Sequence, residues 1–514
     1  MSTTQSEPVP ADQVPEATVL IIFGASGDLT RRKLMPALYH LARDGLLPID
    51  FSILGVGRRI QVGDEFADHM KMRVIQYCSH KMESRYWDPI ASRMESIRAD
   101  YKETSTFVQI RQHIEKREAE WKRKANKLFY FATNPSHFEH LIQSLAEQNL
   151  NREYNGIWSR VIVEKPFGLD FESAVDLNNK IMEHFKEEQI YRIDHFLGKE
   201  AVQNILVFRM SNVLFQPLWN REYIDHIQIS SSETIGVEGR VDFFEQTGAV
   251  RDMIQSHLLQ ILAFLTMDHP RSLDPEHIRD EKVILLKSIR RYDTEDVDKF
   301  AVRGQYSQGV VNSEFVPPYR QEEGVPPNSL VETYAAVKFF IDNYRWRGVP
   351  FYLRSGKRMS DRKTEIFIQL KQLEVEQIPT TLNKQPPIPN TIRLEIQPQA
   401  GIDVTIGWKP AGLLSDVEPT SLNIGGEARI KEPKAYERLI LDAMRGDSTL
   451  FIRFDEIREM WQIVDPIVKR WRELNDRIYN GNLTDPFPNY PAGTQGPRIA
   501  QEFINKDNRE WSKI

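Results

Sequence analysis

The sequence predicts a two-part fold: an N-terminal α/β region with a doubly wound parallel sheet, then a larger α+β region with a mostly antiparallel sheet. Three observations carry this. Short, wholly apolar runs alternate with helix-like stretches in the first half, as buried parallel strands joined by crossover helices require. A glycine turn, Gly24-Ala25-Ser26-Gly27-Asp28-Leu29-Thr30, separates the first apolar run from the first helical stretch. Beyond about residue 200 the strand-like segments alternate apolar with polar residues, the mark of a sheet with one covered face.

In order, Thr18 to Phe23 is the first strand, and a helix runs from about Arg32 to Arg43 and stops at Gly45. Phe51 to Val56, Lys127 to Ala132 and Arg160 to Val163 are further short apolar strands. Ala201 to Arg209 reads as a helix. Ile224 to Ser231, Thr364 to Val375 and Thr391 to Gln397 alternate, the last two flanking a Pro-rich loop from Ile378 to Pro389. Ala249 to Met267 is the clearest long helix, with Val250, Met253, Ile254, Leu258, Ile261 and Leu265 along one side. The expected organisation is a disordered tail (1–17), a nucleotide-binding domain (18–200) and an α+β domain (201–514) that binds substrate and dimerises. Neither a repeat at solenoid period nor a low-complexity tract is present.

At 514 residues the chain can bury a large core. A net charge of −6 and a pI near 6.1 argue against a nucleic-acid partner. Local basic clusters at Arg31-Arg32-Lys33 and Arg354-Ser355-Gly356-Lys357-Arg358 fit a small anion better than a polyanion. With Cys78 as the single cysteine, an intrachain disulfide, a Cys-ligated zinc site and a redox pair are excluded. Met1 to Ala17 is polar and Pro-rich, unlike a signal peptide. No apolar stretch approaches the ~20 residues that cross a bilayer, so no membrane role is expected and the default address is cytoplasmic.

The glycine turn sits where a Rossmann-like domain binds a dinucleotide. Gly24 allows the tight turn, and Gly27 lets amides at the helix start approach a pyrophosphate. The pattern is neither the full G-x-G-x-x-G nor a P-loop. At the end of the second strand, Gly55-Val56-Gly57-Arg58-Arg59 offers no acid for a ribose 2′-hydroxyl. A guanidinium there suits the 2′-phosphate of NADP, although the same pair also reads as surface arginines.

Lys165, in Val163-Glu164-Lys165-Pro166-Phe167-Gly168, lies where open α/β sheets bind ligands; an ordinary strand exit is the alternative. The run Arg192-Ile193-Asp194-His195-Phe196-Leu197-Gly198-Lys199-Glu200 precedes a helix. His195 and Lys199 there suit a phosphate, and a solvated, salt-bridged loop fits as well. His257 on the long helix is either a satisfied core histidine or a general base. As a base it needs a carboxylate; Asp194 is unassigned, whereas Asp252, five residues before it on an α-helix, points elsewhere. The cluster from Arg354 to Arg358, with Arg362-Lys363, reads on its own as a solvated turn.

Together these motifs resemble the glucose-6-phosphate dehydrogenase family over about residues 18 to 500. The glycine turn, Glu164 to Gly168, the Arg192 to Glu200 run, Arg251-Asp252 with His257-Leu258-Leu259-Gln260, and Arg354 to Lys357 carry the resemblance. It implies that His257 takes the C1 hydroxyl proton with Asp194 as its partner, and that His195 and Lys199 grip the sugar phosphate. Lys165 would bridge substrate and cofactor, with Lys33 in the same region. Glu233, Asp252, Lys357 and Gln397 would bind the sugar or its phosphate, and Gly24, Ser26, Gly27, Asp28 and Arg58 would hold NADP. The reaction would be the first oxidative step of the pentose phosphate pathway, with no metal, in a homodimer or homotetramer.

Two departures from the family pattern stand out. Phe196 replaces the usual tyrosine, so one hydroxyl to the phosphate is lost, for about 1 kcal/mol of binding. Phe367, Glu395, Asp403 and Thr405 replace residues that build a second, structural NADP site in animal members, so that site is expected to be absent. Two rival readings are another Rossmann-type sugar oxidoreductase, which needs no phosphate clamp, and a non-catalytic nucleotide-binding paralogue, which would not retain His257 and Lys165.

Overall fold

Six parallel strands form the first sheet: β1 (Thr18–Phe23), β2 (Phe51–Gly57), β3 (Met94–Arg98), β4 (Asn126–Phe131), β5 (Ser159–Glu164) and β6 (Ile190–Ile193). Their spatial order is β3-β2-β1-β4-β5-β6, in a computed structural model describing residues 14–78, 81–372, 389–411, 417–425 and 435–513. A seventh, antiparallel strand arrives from far along the chain, where Phe451 and Ile452 pair with Ile193 and Arg192. Alternate residues of β1 enter separate cores: Val19, Ile21 and Phe23 face one side, Leu20 and Ile22 the other. With both faces covered, every position must be apolar, which is why this strand is legible in the sequence.

Two strands of this sheet escape the sequence pattern. β3 is an edge strand with mostly half-buried polar residues. β6 is short and carries a buried Arg192, whose guanidinium binds Glu187 at 2.5 and 3.0 Å and Asn178 at 2.8 Å. The Arg192 to Glu200 run therefore begins on a strand and reaches its helix, Glu200–Met210, only after Lys199. Residues 1–13 of the expected tail and 378–388 of the Pro-rich loop lie outside the described residues. Ala17, also assigned to the tail, is buried, and its carbonyl accepts from the Asn126 N–H at 2.9 Å.

The second region opens with β7 (Ile224–Ser232) and β8 (Ala301–Gly304), followed by the short β9 (Tyr306–Ser307) and the hairpin β10 (Gly309–Val311) and β11 (Glu314–Val316), which lie outside its main sheet. It continues with β12 (Tyr334–Phe340), β13 (Pro350–Gly356), β14 (Lys363–Leu370), β15 (Thr391–Gln397), β16 (Gly401–Trp408) and β17 (Glu418–Ile424). The eight strands of the sheet lie in the order β17-β16-β15-β14-β7-β13-β12-β8. Only β7 and β13 run parallel to each other among its described pairs. One face of this sheet, through Ile227, Ile229, Leu353 and Ile366, shares a core with Ile254, Leu258 and Leu262 of the long helix.

That helix is not one regular α-helix. Val250–Leu258 is π-helical, and the α-helix Leu259–Thr266 follows it. The first helix divides in the same way, with Thr30–Leu34 π-helical and Met35–Arg43 α-helical. π-Turns of this kind are uncommon and concentrate at functional sites. No described helix is long and apolar enough to cross a membrane.

Candidate active site

The predicted site residues gather at the C-terminal ends of parallel strands, where open α/β sheets bind ligands. Gly24 follows β1, Arg58 follows β2, Lys165 follows β5 and Asp194 follows β6. The second sheet repeats the device. Its parallel pair aligns Ser232 of β7 with Gly356 of β13, so the next residues, Glu233 and Lys357, leave the same end together. Lys357 Nζ donates to Glu233 Oε2 at 2.6 Å.

His257 is buried, and its Nδ1 lies 2.5 Å from Asp194 Oδ1. That carboxylate also accepts from the Phe196 N–H at 2.9 Å. With Nδ1 protonated toward the acid, Nε2 carries the lone pair, and the Lys165 ammonium donates to it at 2.6 Å. Lys165 also donates to the Asp252 carbonyl at 2.6 Å and to Asp252 Oδ1 at 3.1 Å. The chain Asp194–His257–Lys165–Asp252 is thus continuous.

Asp252 corrects a sequence expectation. It does not point away from the histidine but shares Lys165 with it. In the π-helical turn, hydrogen bonding runs from i to i+5, so residues five apart lie one turn above another. The spacing that separates them on an α-helix here brings both to Lys165, while the carboxylate bound to His257 itself is Asp194.

Electrostatics give these groups distinct states. Burial disfavours a charged Asp194, but the adjacent His257 and Lys165 outweigh it and hold the carboxyl well below the usual range. Asp252 is likewise held low against its burial by Lys165 and Lys357. Burial pulls His257 below its ordinary value; Asp194 opposes the shift and Lys165 adds to it. At neutral pH the imidazole is therefore a free base between two ionised carboxylates. Burial also pushes the neighbouring Glu164 up to about 7, against the hydroxyls of Tyr130 and Tyr436 and the charge of Lys165.

His195 and Lys199 flank this chain. The His195 ring meets that of His257 edge-on at 4.9 Å between centroids, and burial beside His257 holds His195 well below its ordinary pKa. Burial draws Lys199 down to about 8, with Asp194 and Glu233 raising it and Arg362 lowering it. Arg362 belongs to the basic cluster that reads in sequence as a solvated turn. Its signal was the basic cluster itself, which only the fold brings beside Lys199.

The glycine turn forms a separate cradle. Gly24 has φ of +87°, and a Cβ there would lie 2.2 Å from the Ala132 carbonyl oxygen. A Cβ on Gly27 would meet Gly24 O at 2.9 Å. A cavity of about 300 Å³ opens beside this turn, lined by Ser26, Arg58, Arg59, Tyr101, Thr133 and His137. Backbone that admits only glycine, with two arginines on the wall, fits a dinucleotide with an additional phosphate. Tyr101, Thr133 and His137 were not anticipated; Thr133 follows β4 and could have been found by the strand-end rule.

Three more expected residues are placed as follows. Asp28 is exposed and pairs with Arg32 at 3.4 Å. Lys33 is exposed at the end of the same turn. Gln397 closes β15 opposite Thr364, whose hydroxyl lies 3.1 Å from that of Ser231.

Comparison with known proteins agrees over both regions. Residues 21–204 match the family described as "Glucose-6-phosphate dehydrogenase, NAD binding domain". Residues 206–512 match "Glucose-6-phosphate dehydrogenase, C-terminal domain". The glucose-6-phosphate 1-dehydrogenase of Chlamydia muridarum is 40% identical over 501 residues, covering 96% of each chain. That of Bacillus subtilis is 37% identical over 508 residues, covering 98% of this chain and 99% of its own. A solved glucose-6-phosphate dehydrogenase in complex with glucose 6-phosphate superposes with a TM-score of 0.85 at 34% identity, over 98% of this chain and 99% of its own. On both matched regions and on full-length relatives, the chain belongs to the glucose-6-phosphate dehydrogenase family.

Proposed function

We propose that the protein oxidises glucose 6-phosphate at C1 with NADP, giving 6-phosphoglucono-δ-lactone and NADPH. The observation that carries this reading is the buried Asp194–His257–Lys165–Asp252 chain, set beside His195 and Lys199. NADP, when bound, supplies the nicotinamide that accepts hydride. Gly24, Ser26, Gly27 and Arg58 would hold it.

The chain's own groups handle the proton. His257 Nε2 takes it from the C1 hydroxyl, and Asp194 stabilises the resulting imidazolium and holds the tautomer. The Lys165 ammonium occupies the donor position on Nε2 that the hydroxyl would take. Its two bonds to Asp252 keep it in place beside the hydroxyl once that exchange is made. His195 and Lys199 bind the phosphate, while Glu233, Lys357 and Asp252 supply acceptors and donors for the sugar hydroxyls.

A pH profile follows from the charge states. His257 works deprotonated, and its pKa is lowered, so the acid loss of activity lies below its ordinary value. Lys199 grips a phosphate while protonated, so kcat/KM for glucose 6-phosphate should fall as pH rises through about 8. That alkaline limb should be missing with glucose. The limb is diagnostic because the substrate phosphate itself titrates near 6, on the other side.

Arg58 accounts for the preference for NADP. In Arg58→Ala the ratio of kcat/KM for NADP over NAD should drop by about 10- to 100-fold, the scale of a lost charge-assisted hydrogen bond. Side-by-side assays with both nucleotides test this, and an unchanged ratio would remove Arg58 from the 2′-phosphate site.

We also infer self-association, supported by the outer strands β16 and β17, which expose Trp408, Leu422 and Ile424. A second dinucleotide near β14 to β16 is disfavoured in this reading. Burial raises Glu395, Lys363 and Arg393 oppose the shift and Glu365 and Asp403 add to it, so the acids there outnumber the cations.

A further inference from the structure

The ring of Phe196 does more than stand where a hydroxyl is missing. It is buried and stacked on the His257 imidazole, with centroids 4.2 Å apart and planes 20° from parallel. The Lys199 ammonium lies 3.5 Å from its centroid. Its own N–H donates at 2.9 Å to Asp194 Oδ1, the oxygen that also receives His257 Nδ1. One residue thus touches the base, the acid that orients it and the cation of the phosphate grip.

The hydrogen bonds alone leave the imidazole under-determined. Asp194 holds Nδ1 and Lys165 holds Nε2. Two such contacts define an axis through the ring and leave tilt about that axis free. A flat ring packed on one imidazole face removes that freedom, in the offset arrangement aromatic pairs favour. The negative face of the same phenyl ring attracts the ammonium of Lys199.

We propose that Phe196 is a positioning residue for the base: its ring, stacked on His257 and carrying Lys199, ties the phosphate grip to the tilt of the imidazole. This rests on the reading of His257 as the proton acceptor. Removal of the ring then slows the chemical step itself and not only substrate capture. A tyrosine at this position keeps the ring and should satisfy the same requirement.

The test compares wild type, Phe196→Leu and Phe196→Tyr by single-turnover formation of NADPH at saturating glucose 6-phosphate, together with steady-state kcat and KM. Phe196→Leu should slow the single turnover by about 10- to 100-fold, the scale of loss when a reacting group shifts by ~1 Å. Phe196→Tyr should keep the wild-type rate. A rise in KM with an unchanged single-turnover rate would confine Phe196 to the phosphate grip and overturn the proposal. A comparable slowing in Phe196→Tyr would also overturn it. Phe196→Met, apolar and unable to stack as a plane, replaces the leucine variant if that one does not fold. His257→Asn, run alongside, separates two failures. If it keeps its rate, the base assignment falls; if it loses its rate while Phe196→Leu does not, only the stacking role falls.

Discussion

His257→Asn should lower kcat by about 10²- to 10⁴-fold, the usual contribution of a positioned general base. The asparagine keeps a polar group near Asp194 but offers no nitrogen lone pair toward the sugar. The loss should appear equally in kcat and kcat/KM, because the interaction forms only as the proton moves. NADP binding should be unchanged, since the glycine turn and Arg58 lie at the ends of other strands. Asp194 would then be a buried carboxylate deprived of the hydrogen bond from the His257 ring N–H, so a fall in melting temperature should accompany the loss. Stopped-flow and steady-state rates with saturating NADP read both effects. A variant within a few fold of wild type would remove His257 from the chemistry.

Lys199→Ala should have the second largest effect, and of a different kind. A charge-assisted hydrogen bond contributes roughly 1.5–3 kcal/mol, so kcat/KM for glucose 6-phosphate should drop about 10- to 100-fold. Most of this should fall on KM. With glucose, which has no phosphate, the same substitution should change little. Equal loss with both sugars would mean that Lys199 supports the fold or the base rather than the phosphate.

The parts of this protein that were legible in sequence are those set by local rules. β1 and the glycine turn were readable because a strand buried on both faces must be apolar and its exit must be tight. The Asp194–His257 pair was reachable from the chemistry an imidazole base needs. Other features depend on distant partners. Arg192 on β6 looks like a loop residue until Glu187 and Asn178 are seen to satisfy its charge. Asp252 was misplaced because an α-helical period was assumed where the backbone is π-helical. Arg362, Tyr101 and the stacking of Phe196 on His257 arise only when separate elements meet. Tertiary contacts of this kind leave no periodic trace in a single chain.

The central claim is that this protein acts on a phosphorylated sugar through the His195 and Lys199 grip and the His257 base. The most direct measurement is NADP reduction with glucose 6-phosphate and with glucose, side by side at matched concentrations. The account predicts a kcat/KM for glucose 6-phosphate larger than that for glucose by about 10²-fold or more, as expected when a site built around charged donors is left unpaired. Equal turnover of the two sugars would contradict it.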